Sequence, residues 1–307
     1  MRTVLRAGIV AVAGLTCYAP LAGCVVVGVD SQGQIVRDEK RFSVDGPPDL
    51  HLSTFDGAIE VRATDGSQVI IEIEKRGPTR EAVDELRVEA TQNGSRIDVE
   101  VKRPTREGMT AFGLNVSTSA KLTVSVPRRA GIVARTGDGA IRVEGVEGRL
   151  ELRTGDGAIR ASDVKGELVL NTGDGSITVD HADGRLALET GDGGVNVEGK
   201  FSAVRMHTGD GSIVYRADEA TQMDDDWEIS TGDGSVAIFL PTGFNANLDA
   251  HTGDGRIRND LDVVRAARSS DDGDDERERR TLRGRIGQGG KRLRVQTGDG
   301  SITLKAR

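Results

Sequence analysis

From Glu147 to Tyr215 the chain alternates apolar and polar residues with a period of two, and the alternation breaks repeatedly at the same four letters. In the unit Glu167–Asp180, Leu168, Leu170 and Thr172 alternate with Glu167, Val169 and Asn171. After Gly173-Asp174-Gly175, Ile177 and Val179 alternate with Ser176, Thr178 and Asp180. A period of two marks a strand with one buried face. Each unit therefore reads strand, tight turn, strand and second turn, the last near Ala182-Asp183-Gly184. The phase recurs in Leu150, Leu152, Thr154 and Ile159, in Leu186, Leu188, Thr190 and Val195, and in Leu293, Val295, Thr297 and Ile302. No stretch of the repeat carries a 3.6-residue apolar stripe.

The breaking motif is Thr-Gly-Asp-Gly. It begins at Thr136, Thr154, Thr172, Thr190 and Thr208 at a spacing of 18, then at Thr231, Thr252 and Thr297 at spacings of 23, 21 and 45. Thr54-Phe55-Asp56-Gly57 reads as a degenerate relative. A fixed short period means one structural unit stacked on itself. Two short strands per unit can close as an antiparallel meander or as one coil of a parallel β-solenoid. Identical phase in every unit favours the solenoid, where Leu stacks on Leu and Asp on Asp about 4.8 Å apart. The predicted fold is all-β: a single-domain parallel β-solenoid (β-helix) of about 18-residue two-strand coils. Less regular strands at the amino-terminal end, around Val69-Ile71-Ile73, Ile97-Val99-Val101 and Leu122-Val124-Val126, cap or start the stack. Residues 268–290 hold the charged run Asp271–Arg280 and read as a flexible loop.

The amino terminus carries a different signal. Arg2 and Arg6 precede an apolar run from Ala7 to Ala19, which is short for a membrane span and suits a signal-peptide core. Leu21-Ala22-Gly23-Cys24 then resembles a bacterial lipobox. That resemblance implies thioether lipidation of Cys24, palmitate acylation and loss of residues 1–23; an ordinary secreted protein is the alternative. Residues 24–40 then form a tether, and 41–307 the β-solenoid domain. Val25 is not acidic, so the expected location is extracytoplasmic and lipid-anchored, in the outer membrane if the cell is Gram-negative. Only Cys17 and Cys24 occur, so the mature chain has no cysteine for a disulfide.

Charge and composition narrow the partners. A net charge of −8 argues against nucleic acid and against nonspecific adhesion to anionic lipid. Aromatic residues make up 3%, few for the flat faces that sugars stack on, and the single tryptophan, Trp227, reads as packing at a bulged coil.

Candidate chemistry is sparse. The turn glycines Gly137, Gly139, Gly155, Gly157, Gly173, Gly175, Gly191, Gly193, Gly209 and Gly211 are expected to supply positive φ, and the Asp side chains to accept backbone N–H groups. Arg142, Arg160 and Arg256 stand ready to neutralise part of the Asp row. The competing reading makes Asp138, Asp156, Asp174, Asp192 and Asp210 weak candidates for cation binding, although one carboxylate per coil is thin for calcium. The inward Thr hydroxyls are expected to bond backbone at the corner. His51, His181, His207 and His251 are spread over separate units, and no phosphate loop or nucleophile constellation appears. No catalytic residue, resident metal or cofactor is assigned.

The Thr-Gly-Asp-Gly-Ser/Ala-Ile recurrences, Leu122–Pro127, Ile238-Phe239-Leu240-Pro241 and the last Leu293–Ile302 unit together resemble the bacterial DUF4097 family of β-strand-repeat proteins, whose label is adhesin. The resemblance covers roughly residues 41 to 307. The lipobox, the uninterrupted repeat and the lack of a catalytic constellation are read together as a non-enzymatic, lipid-anchored adhesion, interaction or scaffold module whose partner is a protein or an envelope or extracellular polymer, not nucleic acid. An envelope-stress sensing module and a glycan-active β-helix enzyme of the polysaccharide lyase or hydrolase kind are the alternatives.

Overall fold

The computed structural model describes residues 26–30, 33–103, 118–265 and 280–307. Cys24, the leader 1–23 and residues 266–279, which take in all of the charged run but Arg280, lie outside the described residues. The period-two alternation folds into a two-walled stack. Strands that end in the motif Thr form one wall, and strands that follow the turn form the other. Within the repeat, like stands on like: Leu150 pairs with Leu168, Leu152 with Leu170 and Thr154 with Thr172, and these pair onward with Leu186, Leu188 and Thr190. On the second wall Ile141, Ile159, Ile177, Val195 and Ile213 form a single file. All these pairings are parallel. The inward rows are fully buried, and each Leu or Ile removed from water contributes about 1.5–3 kcal/mol.

The fold is all-β and solenoid-like, but it departs from one parallel stack in chain order. Both ends are antiparallel. Gly33–Ser43 pairs antiparallel with Gln68–Gly77, which pairs antiparallel with Ser119–Pro127. Arg87–Asn93 likewise covers Arg96–Lys102. At the far end Thr281–Ile286 runs antiparallel to both Ala246–Thr252 and Val263–Arg265. An uncovered sheet edge presents a row of unpaired N–H and C=O groups, and these strands cover it. Two sequence expectations are thereby corrected. The tether over 24–40 contains the strand Val26–Asp30 and most of Gly33–Ser43, and the loop over 268–290 contains the strand Thr281–Ile286.

The outer coils are also exchanged in order. The coil Asp49–Thr54 and Ile59–Thr64 sits between a later coil, Arg96–Lys102 with Ser119–Pro127, and the first regular one, Gly131–Thr136 with Ile141–Glu144. At the other end, Arg292–Thr297 with Ile302–Ala306 slots between Trp227–Thr231 with Val236–Leu240 and Ala246–Thr252 with Ile257–Asn259. Each of these coils is held on both sides instead of fraying. Thr54 stands directly on Thr136, so the degenerate motif is a rung of the same ladder.

The interior widens where the period lengthens. Beyond Thr208 the extra residues enlarge the coil, and aromatic rings fill the added volume. Phe201, Tyr215, Trp227 and Phe244 are buried in a chain of ring contacts with centroid separations of 6.3, 5.4 and 5.3 Å. Trp227 is a packing residue there, and its indole N–H donates to the Ser202 carbonyl at 3.3 Å. A single helical turn, Arg80–Asp84, is capped by the Thr79 hydroxyl, which accepts from Ala82 N.

Candidate functional site

The Thr-Gly-Asp-Gly corner is built from contacts between coils. Thr172 Oγ1 donates to the Gly157 carbonyl of the preceding coil at 2.9 Å and accepts from its own Gly175 N–H at 3.3 Å. Thr154, Thr208, Thr231 and Thr297 repeat both bonds, with Gly139, Gly193, Gly211 and Gly234 as acceptors. Ladder pairing is interrupted at a corner, and the hydroxyl satisfies backbone groups that would otherwise be buried without partners.

The glycines serve a different purpose from the one expected. None of the ten between Gly137 and Gly211 named above has φ in the left-handed region. Each is required because the coil beneath comes too close for a side chain. A Cβ on Gly157, Gly175, Gly193 or Gly211 would lie 2.0, 1.9, 1.9 or 2.0 Å from the carbonyl oxygen of the glycine one coil before it. The first glycine of each motif is less tight, at 2.7 Å for Gly155, Gly173, Gly191 and Gly209 and 2.3 Å for Gly137, while Gly139 meets Gly57 O at 1.9 Å. Positive φ belongs to the second turn, as at Gly166 and Gly184.

The carboxylates do not fill the role assigned to them either. Asp138, Asp156, Asp174, Asp192 and Asp210 are exposed and stand in file along the corner. They make no hydrogen bond to backbone N–H and no ion pair among the described residues. Arg142 turns instead to Glu60 at 3.5 Å, and Arg160 and Arg256 pair with none of the file. Full hydration holds the repulsion to roughly 1 kcal/mol per neighbouring pair about 4.8 Å apart. Among the described residues, no group of three or more His, Cys, Asp or Glu side chains is placed to hold a metal ion. The histidines stay apart: His51 meets Asp49 at 3.2 Å, His207 meets Ser230 at 3.0 Å and His251 meets Thr281 at 3.0 Å.

The period fails at Asp224–Trp227, and there a shelf rises from the first wall. Asp224 and Asp225 N–H groups both donate to Ser202 O, which lifts the chain over the outer face of earlier coils. Asp225 accepts from Asp226 N at 3.0 Å and from Arg185 at 3.1 Å, and these bonds hold its carboxyl below the usual range. Asp226 accepts from Arg292 N at 2.8 Å. The shelf, Glu167 and Glu228, and the half-buried Val169 and Ala187 bound a cleft of about 290 Å³ that Arg185 and Arg205 overhang. A wider hollow of about 620 Å³ lies beside the Gly287–Gly290 turn, between Thr221, Met223, Phe244 and Lys291. That turn is structural: Gln288 N donates to Asn245 Oδ1 at 2.7 Å. Both concavities lie where the 18-residue register is lost. Sequence reading located the shelf but passed over Arg283, Arg285, Arg292 and Arg294, whose signal is two Arg-x-Arg alternations in strands that flank Ala246–Thr252.

Comparison with known proteins places this geometry. The family model described as Toastrack DUF4097 matches residues 49–305. No curated protein matches the chain. Among solved structures, a putative lipid binding protein from Parabacteroides distasonis is 13% identical, with 87% of this chain and 96% of that chain covered and a TM-score of 0.51. A putative adhesin from Bacteroides fragilis is 12% identical over 87% and 96%, at a TM-score of 0.41. A putative cell adhesion protein from Clostridium sporogenes is 12% identical over 88% and 99%, at 0.27. At such identities the likeness speaks to fold alone. Among the described residues no helix is long and apolar enough to cross a membrane.

Proposed function

The chain belongs to the Toastrack DUF4097 family, and from that premise we propose that it is a non-enzymatic interaction module, an adhesion or scaffold surface held at the cell envelope. The observation that carries this reading is where the repeated polar groups go. Each motif Thr and each pair of motif glycines is consumed by the stack itself, as hydrogen-bond partner or as the gap that lets coils approach. What varies from coil to coil is the outward face, where Arg153, Asn171, Glu189, His207 and Ser230 succeed one another. A rigid parallel solenoid with a changing outer face presents a long surface to a partner and offers little to a reacting atom. In this reading Cys24 carries the lipid, residues 1–23 are removed, and the domain stands outside the cytoplasm, on the outer membrane where there is one. The partner is a protein or an envelope polymer.

Two experiments test it. Metabolic labelling with a palmitate analogue should mark the wild type and leave Cys24→Ser unlabelled and released from the membrane fraction; equal labelling of both would remove the anchor. Photo-crosslinkers at outward positions of the first wall should capture a discrete partner in cells. Turnover of envelope polysaccharides by the purified protein would instead favour the enzyme reading.

A further inference from the structure

Four arginines converge on one outer face of an otherwise acidic protein. The strands Arg292–Thr297, Ala246–Thr252 and Thr281–Ile286 lie side by side, with Ala246–Thr252 in the middle. Register places Arg292 and Arg285 on either side of Asn247, and Arg294 and Arg283 on either side of Asp249. Alternate residues share a face, so the four guanidinium groups spring from a rectangle roughly 10 Å across the strands and 7 Å along them. All four side chains are exposed. Arg283 bonds Asp249 at 2.8 Å, and Arg294 approaches Glu228 at 3.9 Å. Arg285 and Arg292 have no carboxylate partner among the described residues, and the exposed Lys291 beside them makes no ion pair there. Two of the four charges are thus unanswered, on a chain whose net charge is −8.

An arginine fork presents paired N–H donors that match planar or tetrahedral oxyanions, and an exposed fork keeps that capacity for a ligand. A flat, open grid of such forks suits an extended polyanion over a small enclosed anion. The nearby rings of Tyr215, Trp227 and Phe244 are all buried, so none of the three offers a platform for stacking bases. The strand Val26–Asp30, next to the proposed lipid site, lies at the opposite end of the stack, some twelve strand steps or roughly 60 Å away. That distance sets the grid away from the anchoring membrane.

We propose that this four-arginine grid docks an extended acidic polysaccharide, through Arg285 and Arg292 as free forks and through Arg283 and Arg294 as they exchange Asp249 and Glu228 for the ligand. The assignment rests on the interaction-module reading and names its partner class; its binding test uses neither lipidation nor turnover, so it fails separately from that reading. Carboxylate and sulfate esters share the required chemistry.

The test is binding of the full chain in detergent, followed by interferometry on immobilised polygalacturonate, dextran sulfate and uncharged dextran. Vesicles of phosphatidylglycerol and single-stranded DNA are run alongside. Binding to one or both acidic polysaccharides, weakening as salt rises, is the expected result, and any preference between them assigns the anion. Arg285→Gln with Arg292→Gln should lose about tenfold in affinity or more, the worth of one to two charge-assisted hydrogen bonds. The matched pair Arg160→Gln with Arg258→Gln, on the other wall, should stay within about twofold, since it removes equal charge but no fork of the grid. The proposal is overturned by no binding to either acidic polymer, by equal binding to uncharged dextran, by tighter binding to vesicles or DNA, or by equal loss in both variant pairs.

Discussion

Replacing Gly175 by alanine would place a Cβ 1.9 Å from the Gly157 carbonyl oxygen, 2.5 Å from its carbon and 2.8 Å from Thr172 Oγ1. The first two obstacles are backbone, so no rotamer change relieves them. Restoring ordinary contact requires the coils to part by about 1.3 Å or more at this corner. Bonds that now span it, Thr172 Oγ1 to Gly157 O and Ile159 N to Ser176 O, both 2.9 Å, would lengthen beyond hydrogen-bond range. Losing two such bonds and leaving their buried ends without partners costs about 1–3 kcal/mol for each orphaned group, about 3–5 kcal/mol in all. Gly194 is the internal control. It follows the motif by one residue, other coils carry Ala158 or Ser176 at that position, and the nearest atom to a Cβ there is Ser212 O at 3.9 Å. Gly194→Ala should be neutral or gain about 0.4–1 kcal/mol through a less flexible unfolded chain. Urea melts followed by far-ultraviolet circular dichroism measure both. If Gly175→Ala melts within about 1 kcal/mol of Gly194→Ala, the claim that the motif glycines are there for inter-coil clearance is wrong.

Other expectations follow from the same contacts. Thr208→Val keeps the shape of a fully buried side chain but strips the Gly193 carbonyl and the Gly211 N–H of a partner, so it should destabilise by about 2–4 kcal/mol. Thr208→Ser, which keeps the hydroxyl, should cost about 1 kcal/mol, and the reverse ranking would refute the bonding role. Tyr215 has a buried hydroxyl with no hydrogen-bond partner, so Tyr215→Phe should raise the melting midpoint, by about 1 kcal/mol of stability; a clear loss would reveal a partner. Burial, aided by Asp218, pushes the Tyr215 phenol above its usual range. Stability is therefore insensitive to this group below the unfolded phenol's pKa of about 10 and falls as pH rises past it, because only the unfolded chain then ionises, and Tyr215→Phe should flatten that alkaline decline. Phe244→Ala opens a void against Trp227, should cost about 3–5 kcal/mol, and should shift the emission of the sole tryptophan to longer wavelength.

Most of the architecture was legible along the chain because stacking turns a three-dimensional contact into a one-dimensional period. Leu150 meets Leu168 for the same reason that the two share a phase 18 residues apart. Inward Thr, turning Gly-Asp-Gly and the packing role of Trp227 could all be read from that period. The reason for the glycines could not, because a local turn and an inter-coil clearance place the same residue at the same spot, and only the separation from the coil beneath tells them apart. The Asp file was likewise visible as a row, while its hydration and lack of bonding partners depend on where the corner faces.

Where the period lapses, sequence order stops predicting spatial order. The strand Arg292–Thr297 continues the stack from Trp227–Thr231 across 60 intervening residues, and Asp49–Thr54 stands on Gly131–Thr136 although Arg96–Lys102 comes between them in the chain. The antiparallel strands at each end have no counterpart in the repeat; they form because an exposed ladder edge needs covering. The arginine grid follows from both effects, an exchanged coil on one side of Ala246–Thr252 and an antiparallel strand on the other. By itself, then, the sequence determined the coil, its buried rows and its corner, since these depend on neighbours one period away. Only the tertiary structure decided the order of the end coils and the face on which four arginines meet, since pairing energy is gained wherever registers match and chain distance enters only as a weak entropic cost of loop closure.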